Sequence, residues 1–395
     1  MGWNRLLFKT IALLASLFLT SCQPNSQGNS DLQTVNNHPS AYRAQGNLGI
    51  CWAHAFTSFL EDEMLARSQV KIELSAEALG LLKMQKSLTF IIQIMQESPE
   101  GTVDILRRLK TDEADRRIRL RTTAQFIEDS LTGGNWDLAA DIVESQGAIE
   151  RRVWDVGQLF IVDPMLKFDN KYVKFLERFA QRIAKLPPKG TDPDLLAREI
   201  LDDALASAGV PKFPWTPNDN NRVKTIFNSN SYALIDAGKA GVENFVNEIK
   251  KALAKGQNVP LNLLLNEKFL SGSYFKFRNT INNGSLIEGG YGHAVLATDF
   301  INQGSKRGAM KSSEVEAEMA KPISMLNGLI VKNSYDNTTP GKLLPKGFYE
   351  IDLAYLTKAL AGSQAVVRIE IADNAHAVAW KKSNSSENAT ATSTK

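Results

Sequence analysis

The chain is short of the residues that most often carry chemistry. Its 395 residues include two cysteines and four histidines. Two cysteines cannot make a disulfide framework, so packing must hold the fold. No excess of one charge is present either. The 46 basic and 43 acidic residues leave a net charge of +3, which gives no reason to expect a nucleic-acid partner. The apolar run near the N-terminus, Ile11–Leu19, is too short to cross a bilayer as a permanent helix. No internal repeat is evident. What remains is 43% apolar, ample for one large domain or a domain with sizeable insertions.

The N-terminal segment has the layout of a signal peptide. Arg5 and Lys9 precede the apolar run, and Leu19-Thr20-Ser21-Cys22 follows it. This end resembles a bacterial lipobox. The resemblance implies removal of residues 1–21, lipidation of Cys22, and a membrane anchor in the bacterial cell envelope. Gln23, rather than aspartate, favours the outer over the inner membrane. Residues 22–37 are rich in Asn, Gln and Ser and read as a flexible tether. Residues 380–395 read as a disordered tail. The folded domain is expected over 38–379. With Cys22 lipidated, Cys51 is the only free thiol of an exported chain, a liability unless it is used.

Within that domain the apolar period changes along the chain. Trp52, Phe56, Phe59, Leu60 and Met64 recur at three and four residues, which predicts a helix from Cys51. Ser75 is placed to cap the next helix. Residues 100–130, where the charge run Arg107–Arg121 reads as a solvated face, are expected to be helical, as is the stretch after Gly133-Gly134-Asn135 that closes at Gly147. Residues 157–240 read as a mainly helical insertion, with Asp192-Pro193 opening one helix and Gly209 closing it. After a helix ending at Gly256, the segments 259–266, 293–300, 328–334, 347–353 and 365–372 read as strands. Helices in front and strands behind make an α+β chain.

The chemistry gathers around Gln45–Phe56, "QGNLGICWAHAF". Cys51 stands where a helix begins, a setting that favours a thiolate. Glycines before it permit a tight turn, and Gln45 is placed to aim its amide at an oxyanion beside the Cys51 N–H. This segment resembles the nucleophile segment of papain-like cysteine peptidases. Gly49, Cys51 and Trp52 match the pattern. Leu48 and Ile50 depart from it, and Leu48 removes a cysteine that the family commonly pairs there.

Other segments extend the resemblance in the family's order. "GGYGHAVLATDF" resembles the histidine strand and implies His293 as base. "LIVKNSYDN" resembles the asparagine segment and implies Asn333 as the group that orients the ring. Gly133 and Gly134 resemble the glycine pair that meets an extended substrate, and Gly347–Leu353 the closing strand. Trp52, Gly292 and Tyr335 join Gly133 and Gly134 as expected substrate-side residues. Tyr335 stands where the family commonly has tryptophan.

The intervals are long: 242 residues separate Cys51 from His293, against about 130–150 in the family. The surplus falls mostly in 85–130 and 157–240. The short distance from Cys22 to Gln45 leaves no room for the family's N-terminal propeptide.

Together these features imply a two-lobed papain-like fold and a cysteine peptidase using Cys51, His293, Asn333 and Gln45. Its partners would be a protein or peptide substrate and, through the lipid, a membrane. No metal or organic cofactor, no nucleic acid and no second subunit is expected. Two other readings stay open: hydrolysis or transpeptidation of cell-wall peptides, and a binding lipoprotein without turnover. His54, one helical turn from Cys51, is read as a core or supporting histidine because the base should face the thiol from across a cleft. His38 and His376 read as surface residues, and Trp136 as either cleft wall or core.

Overall fold

The structure is a computed structural model. It describes residues 40, 43, 49–97, 116–131, 133–156, 170–185, 190–215, 223, 227–228, 231–266, 269–271, 274–275, 290–303, 314, 317, 320–322, 326–334, 347–360, 362–373, 375 and 377–378. The signal segment, the tether, the tail, Cys22, His38, Gln45, Tyr335 and His376 lie outside them.

Six helices come first: α1 (Cys51–Ser68), α2 (Ala76–Glu97), α3 (Arg116–Leu131), α4 (Trp136–Gln146), α5 (Asn170–Ala184) and α6 (Pro193–Ser207). Their ends follow the local chemistry. Ser75 Oγ accepts from Ala78 N at 3.1 Å ahead of α2, and Asn135 Oδ1 accepts from Leu138 N at 2.8 Å ahead of α4. Asp192 Oδ1 accepts from Asp194 N at 2.8 Å, with Pro193 at the first helical position of α6. Each of these side chains satisfies a donor that the first turn leaves open.

The sheet occupies the back half, with strands β1 (Tyr232–Asp236), β2 (Val259–Leu265), β3 (Leu270–Ser271), β4 (Tyr274–Phe275), β5 (Tyr291–Asn302), β6 (Leu326–Lys332), β7 (Phe348–Asp352), β8 (Gln364–Arg368) and β9 (Ala377–Val378). Three helices fall among them: α7 (Ala237–Ala240), α8 (Val242–Ala254) and α9 (Leu353–Ala359). The strand order is β3-β4-β7-β6-β5-β2-β8-β1-β9. All its pairings are antiparallel except β4 with β7, which is parallel. The five expected strand segments correspond to β2, β5, β6, β7 and β8. β1 is a further strand, inside the 157–240 stretch that was expected to be mainly helical.

The sheet has cores on both faces. Tyr232, Leu234, Ala294, Leu296 and Val366 join the helical front half, while Ala233, Ile235, Val295, Ala297 and Val367 join α8 and α9. This is the period of two expected of a strand covered on both sides. α1 fills the seam between helices and sheet, and from Trp52 to Met64 every residue is buried. A helix buried all round has no face for water, yet this one carries Glu61, Asp62 and Glu63 in succession. Among the described residues, no helix is long and apolar enough to cross a membrane.

Candidate active site

Cys51 is the first residue of α1, and Ile50 caps that helix without a side-chain hydrogen bond. The open N–H groups and positive end of the helix therefore face the thiol. The half-buried Sγ accepts from Ala294 N at 3.5 Å, at the head of β5. His293, next to Ala294, is 3% exposed and makes a side-chain hydrogen bond with Cys51. Burial pushes the Cys51 thiol up. The charge of His293 and its hydrogen bond, with the N–H groups of Ala294 and Trp52, pull it down further, so its pKa lies below the ordinary thiol value.

Asn333 follows the last residue of β6 and is anchored by its own N–H to Gly347 O at 2.7 Å. Its Oδ1 lies 2.6 Å from His293 Nε2. An amide oxygen only accepts, so Nε2 carries the proton and Nδ1 is the nitrogen left for the thiol. The register makes this arrangement: β5 pairs with β6, Leu296 opposite Lys332. Thus the structure brings Cys51, His293 and Asn333 together across 282 residues of sequence.

Of the expected substrate-side residues, Trp52 is buried at 2% exposure beneath Gly134. A Cβ on Gly134 would meet Trp52 Cδ2 at 2.2 Å, so only glycine permits the approach. Gly133 beside it is exposed with φ +69°, and Gly292 is exposed next to His293 with open space where a Cβ would stand. The structure therefore sets the Gly134 backbone directly against Trp52 of α1. Trp136, read as either wall or core, is core: it is 2% exposed and its Nε1 donates to Gln364 O at 3.3 Å.

His54 does not face the thiol pair as a base would. It is 4% exposed, and its buried Nε2 has no hydrogen-bond partner among the described residues. Burial, then the charges of Arg43, Lys332 and Arg151, push its pKa down to about 3, so the ring is neutral. It borders a small pocket shared with Arg43, Ser58, Lys332, Asn333 and Ser334. Neither Cys51 nor His293 lines that space, so it is not the space over the thiol.

The buried charges around α1 were missed by sequence reasoning. Side chains on successive helical residues diverge in direction, so three acids in a row need three separate partners. Glu61 takes Arg43 at 2.5 Å and Leu74 N at 2.6 Å. Asp62 takes Ser40 N at 2.7 Å and Asn258 Nδ2 at 2.5 Å. Glu63 takes Arg368 at 2.8 and 3.0 Å and the Tyr232 hydroxyl at 2.7 Å. Lys332 Nζ donates to Ser40 Oγ and Ser58 Oγ, each at 2.9 Å. Burial raises Asp62 to about 6, against the Asn258 bond and the Lys332 charge. Burial lowers Lys332 to about 8, against the charges of Asp62 and Glu61. "EDE" inside an apolar helical period was the available signal. Among the described residues, no group of three His, Cys, Asp or Glu side chains converges as a metal site would require.

No family model matches this chain, and no curated relative does. Solved structures do. The crystal structure of PepW from Lactobacillus rhamnosis HN001 superposes with a TM-score of 0.54 over 88% of this chain and 83% of that one, at 13% identity. The bromelain protease from Ananas comosus, in complex with the E64 inhibitor, gives a TM-score of 0.35 over 84% and 93% at 12% identity, a likeness too weak to build on. The chain thus has an α+β fold that it shares with PepW over most of both molecules.

Proposed function

We propose that this protein is a cysteine peptidase in which Cys51 is the nucleophile, His293 the acid–base and Asn333 the group that holds the imidazole. The observation that carries the reading is the chain of contacts from Cys51 to His293, and from His293 Nε2 to Asn333 Oδ1 at 2.6 Å. It supplies a thiol with lowered pKa, a ring nitrogen facing it, and a fixed tautomer. The fold shared with PepW supports the same reading.

In the proposed cycle Cys51 passes its thiol proton to His293 Nδ1, and the thiolate Sγ attacks the scissile carbonyl carbon. A C–S bond forms and the carbonyl π pair moves to oxygen. The Cys51 N–H and the Gln45 amide receive that oxyanion. His293 Nδ1 gives its proton to the amine as the C–N bond breaks. It then takes a proton from water, which attacks the thioester and releases the acid and the thiolate. Gly133, Gly134 and Gly292 leave the substrate backbone unobstructed, with Trp52 beneath Gly134, and the sequence resemblance adds Tyr335 to the substrate side. We further propose export to the bacterial cell envelope and a lipid anchor at Cys22, which rests on the lipobox-like segment.

The test is incubation of the full chain with defined peptides and a free amine acceptor, read by mass spectrometry. New carboxyl termini that vanish with Cys51→Ala are expected. Amide products joined to the acceptor would move the assignment to transpeptidation. A folded protein that does neither would contradict an enzymatic role.

A further inference from the structure

The group that precedes the asparagine does more than fill space. Lys332 ends β6 and is 6% exposed. A buried ammonium costs several kcal/mol unless its protons are used. Its two short bonds go to different parts of the molecule. Ser58 lies seven residues beyond Cys51 on α1, two turns on and therefore on the same helical face. Ser40 lies in the segment that leads into Cys51, and its Oγ also donates to Ser58 O at 3.4 Å.

The groups around this ammonium tie the same helix and entering segment to further parts of the fold. Asp62, on α1, holds Ser40 through its N–H and the sheet through Asn258, next to β2. Glu61 holds Arg43, whose Nη1 donates to Leu74 O at 2.6 Å. The charges felt at Lys332 are Asp62 and Glu61, which favour its ammonium, and Arg43, which opposes it. An apolar side chain of equal length would fill the volume but could not grip two hydroxyls from two segments.

We propose that Lys332 is a positioning residue for Cys51, His293 and Asn333, its ammonium fixing the asparagine strand against the nucleophile helix and the segment entering it. The inference rests on the reading of these three residues as one reactive set. Lys332 touches neither thiol nor ring among its hydrogen bonds. It acts by holding the distance between their carriers, where errors of about 1 Å are costly, on the order of a hundredfold in rate.

The test follows Cys51 alkylation by iodoacetamide against pH in the full chain, read on the Cys51 peptide by mass spectrometry. Thermal melting of each variant confirms folding. Wild type is expected to react well below the ordinary thiol range. Lys332→Met should move the acid limb up by about one pH unit, a loss of about tenfold in rate below the midpoint. Its rate at pH 10, where any thiol ionises, should match wild type. Ser58→Ala, a milder change, should move the limb in the same direction and stands in if Lys332→Met fails to fold. A folded Lys332→Met, or in its absence Ser58→Ala, with the wild-type profile overturns the positioning role alone. A wild type with an ordinary thiol profile overturns the reading of Cys51 and His293, and the inference with it.

Discussion

His54 offers a sharp test of the buried electrostatics. Its ring is buried, its Nε2 has no hydrogen-bond partner among the described residues, and it feels the positive charges of Arg43, Lys332 and Arg151. Its pKa falls from 6.5 to about 3 on folding. Between those values the unfolded chain binds a proton that the folded chain refuses, so stability is present above pH 6.5 and lost as pH falls toward 3. At pH 5 the unfolded ring is almost fully protonated and the folded ring is not. The loss relative to pH 8 is then about 2 kcal/mol, since 1.36 kcal/mol accompanies each pH unit below 6.5. Asp62 works in the opposite direction: raised to about 6, it favours the folded state as pH falls. Comparing wild type with His54→Phe cancels that contribution. Urea denaturation at pH 5 and pH 8 should show the variant retaining about 2 kcal/mol more of its pH 8 stability than wild type. Identical pH dependence in the two proteins would refute the claim of a buried neutral imidazole.

Two more substitutions separate geometry from composition. Gly134→Ala must push a methyl group into the buried Trp52 ring and should cost about 1–3 kcal/mol in urea denaturation, whereas Gly133→Ala meets open space and pays only for its φ of +69°, about 1 kcal/mol. Glu63→Ala leaves the Arg368 guanidinium, whose side chain is 17% exposed, with only the exposed Glu370 at 3.8 Å, and should cost about 3 kcal/mol. Glu63→Leu combined with Arg368→Met should recover much of that loss in the same assay.

Much of the fold was legible because periodicity and caps act locally. The period of three and four from Cys51 described α1, and the caps at Ser75 and Asp192 describe the starts of α2 and α6. Branched residues marked β2 and β5 to β8. β1, with the sequence "YALID", is five residues long and comes after α5 and α6 in a stretch expected to be mainly helical, so no period established it. Its strand character comes from pairing with β8, a partner more than 120 residues away.

The site divides in the same way. Cys51, His293 and Asn333 were readable because each sits in a short motif, and β5–β6 register with α1 packing then brings them together. Arg43, Ser58 and Asn258 carry no local motif, "EDE" names no partners, and Lys332, though inside the asparagine segment, gives no sign there of what it holds. Their relation exists only once α1 is buried between the sheet and its own upstream segment. Gln45, Tyr335 and Cys22 fall outside the described residues, and their proposed roles rest on sequence.

The central claim is that His293 turns Cys51 into a reactive thiolate. Its most direct test is labelling of the full chain with a thiol-directed epoxysuccinyl probe, read by intact mass. Wild type should gain one adduct at Cys51. Cys51→Ala should gain none, His293→Ala should lose the adduct, and His54→Ala should keep it. A folded wild type that stays unlabelled, or a His293→Ala protein that labels as fast as wild type, would contradict the account.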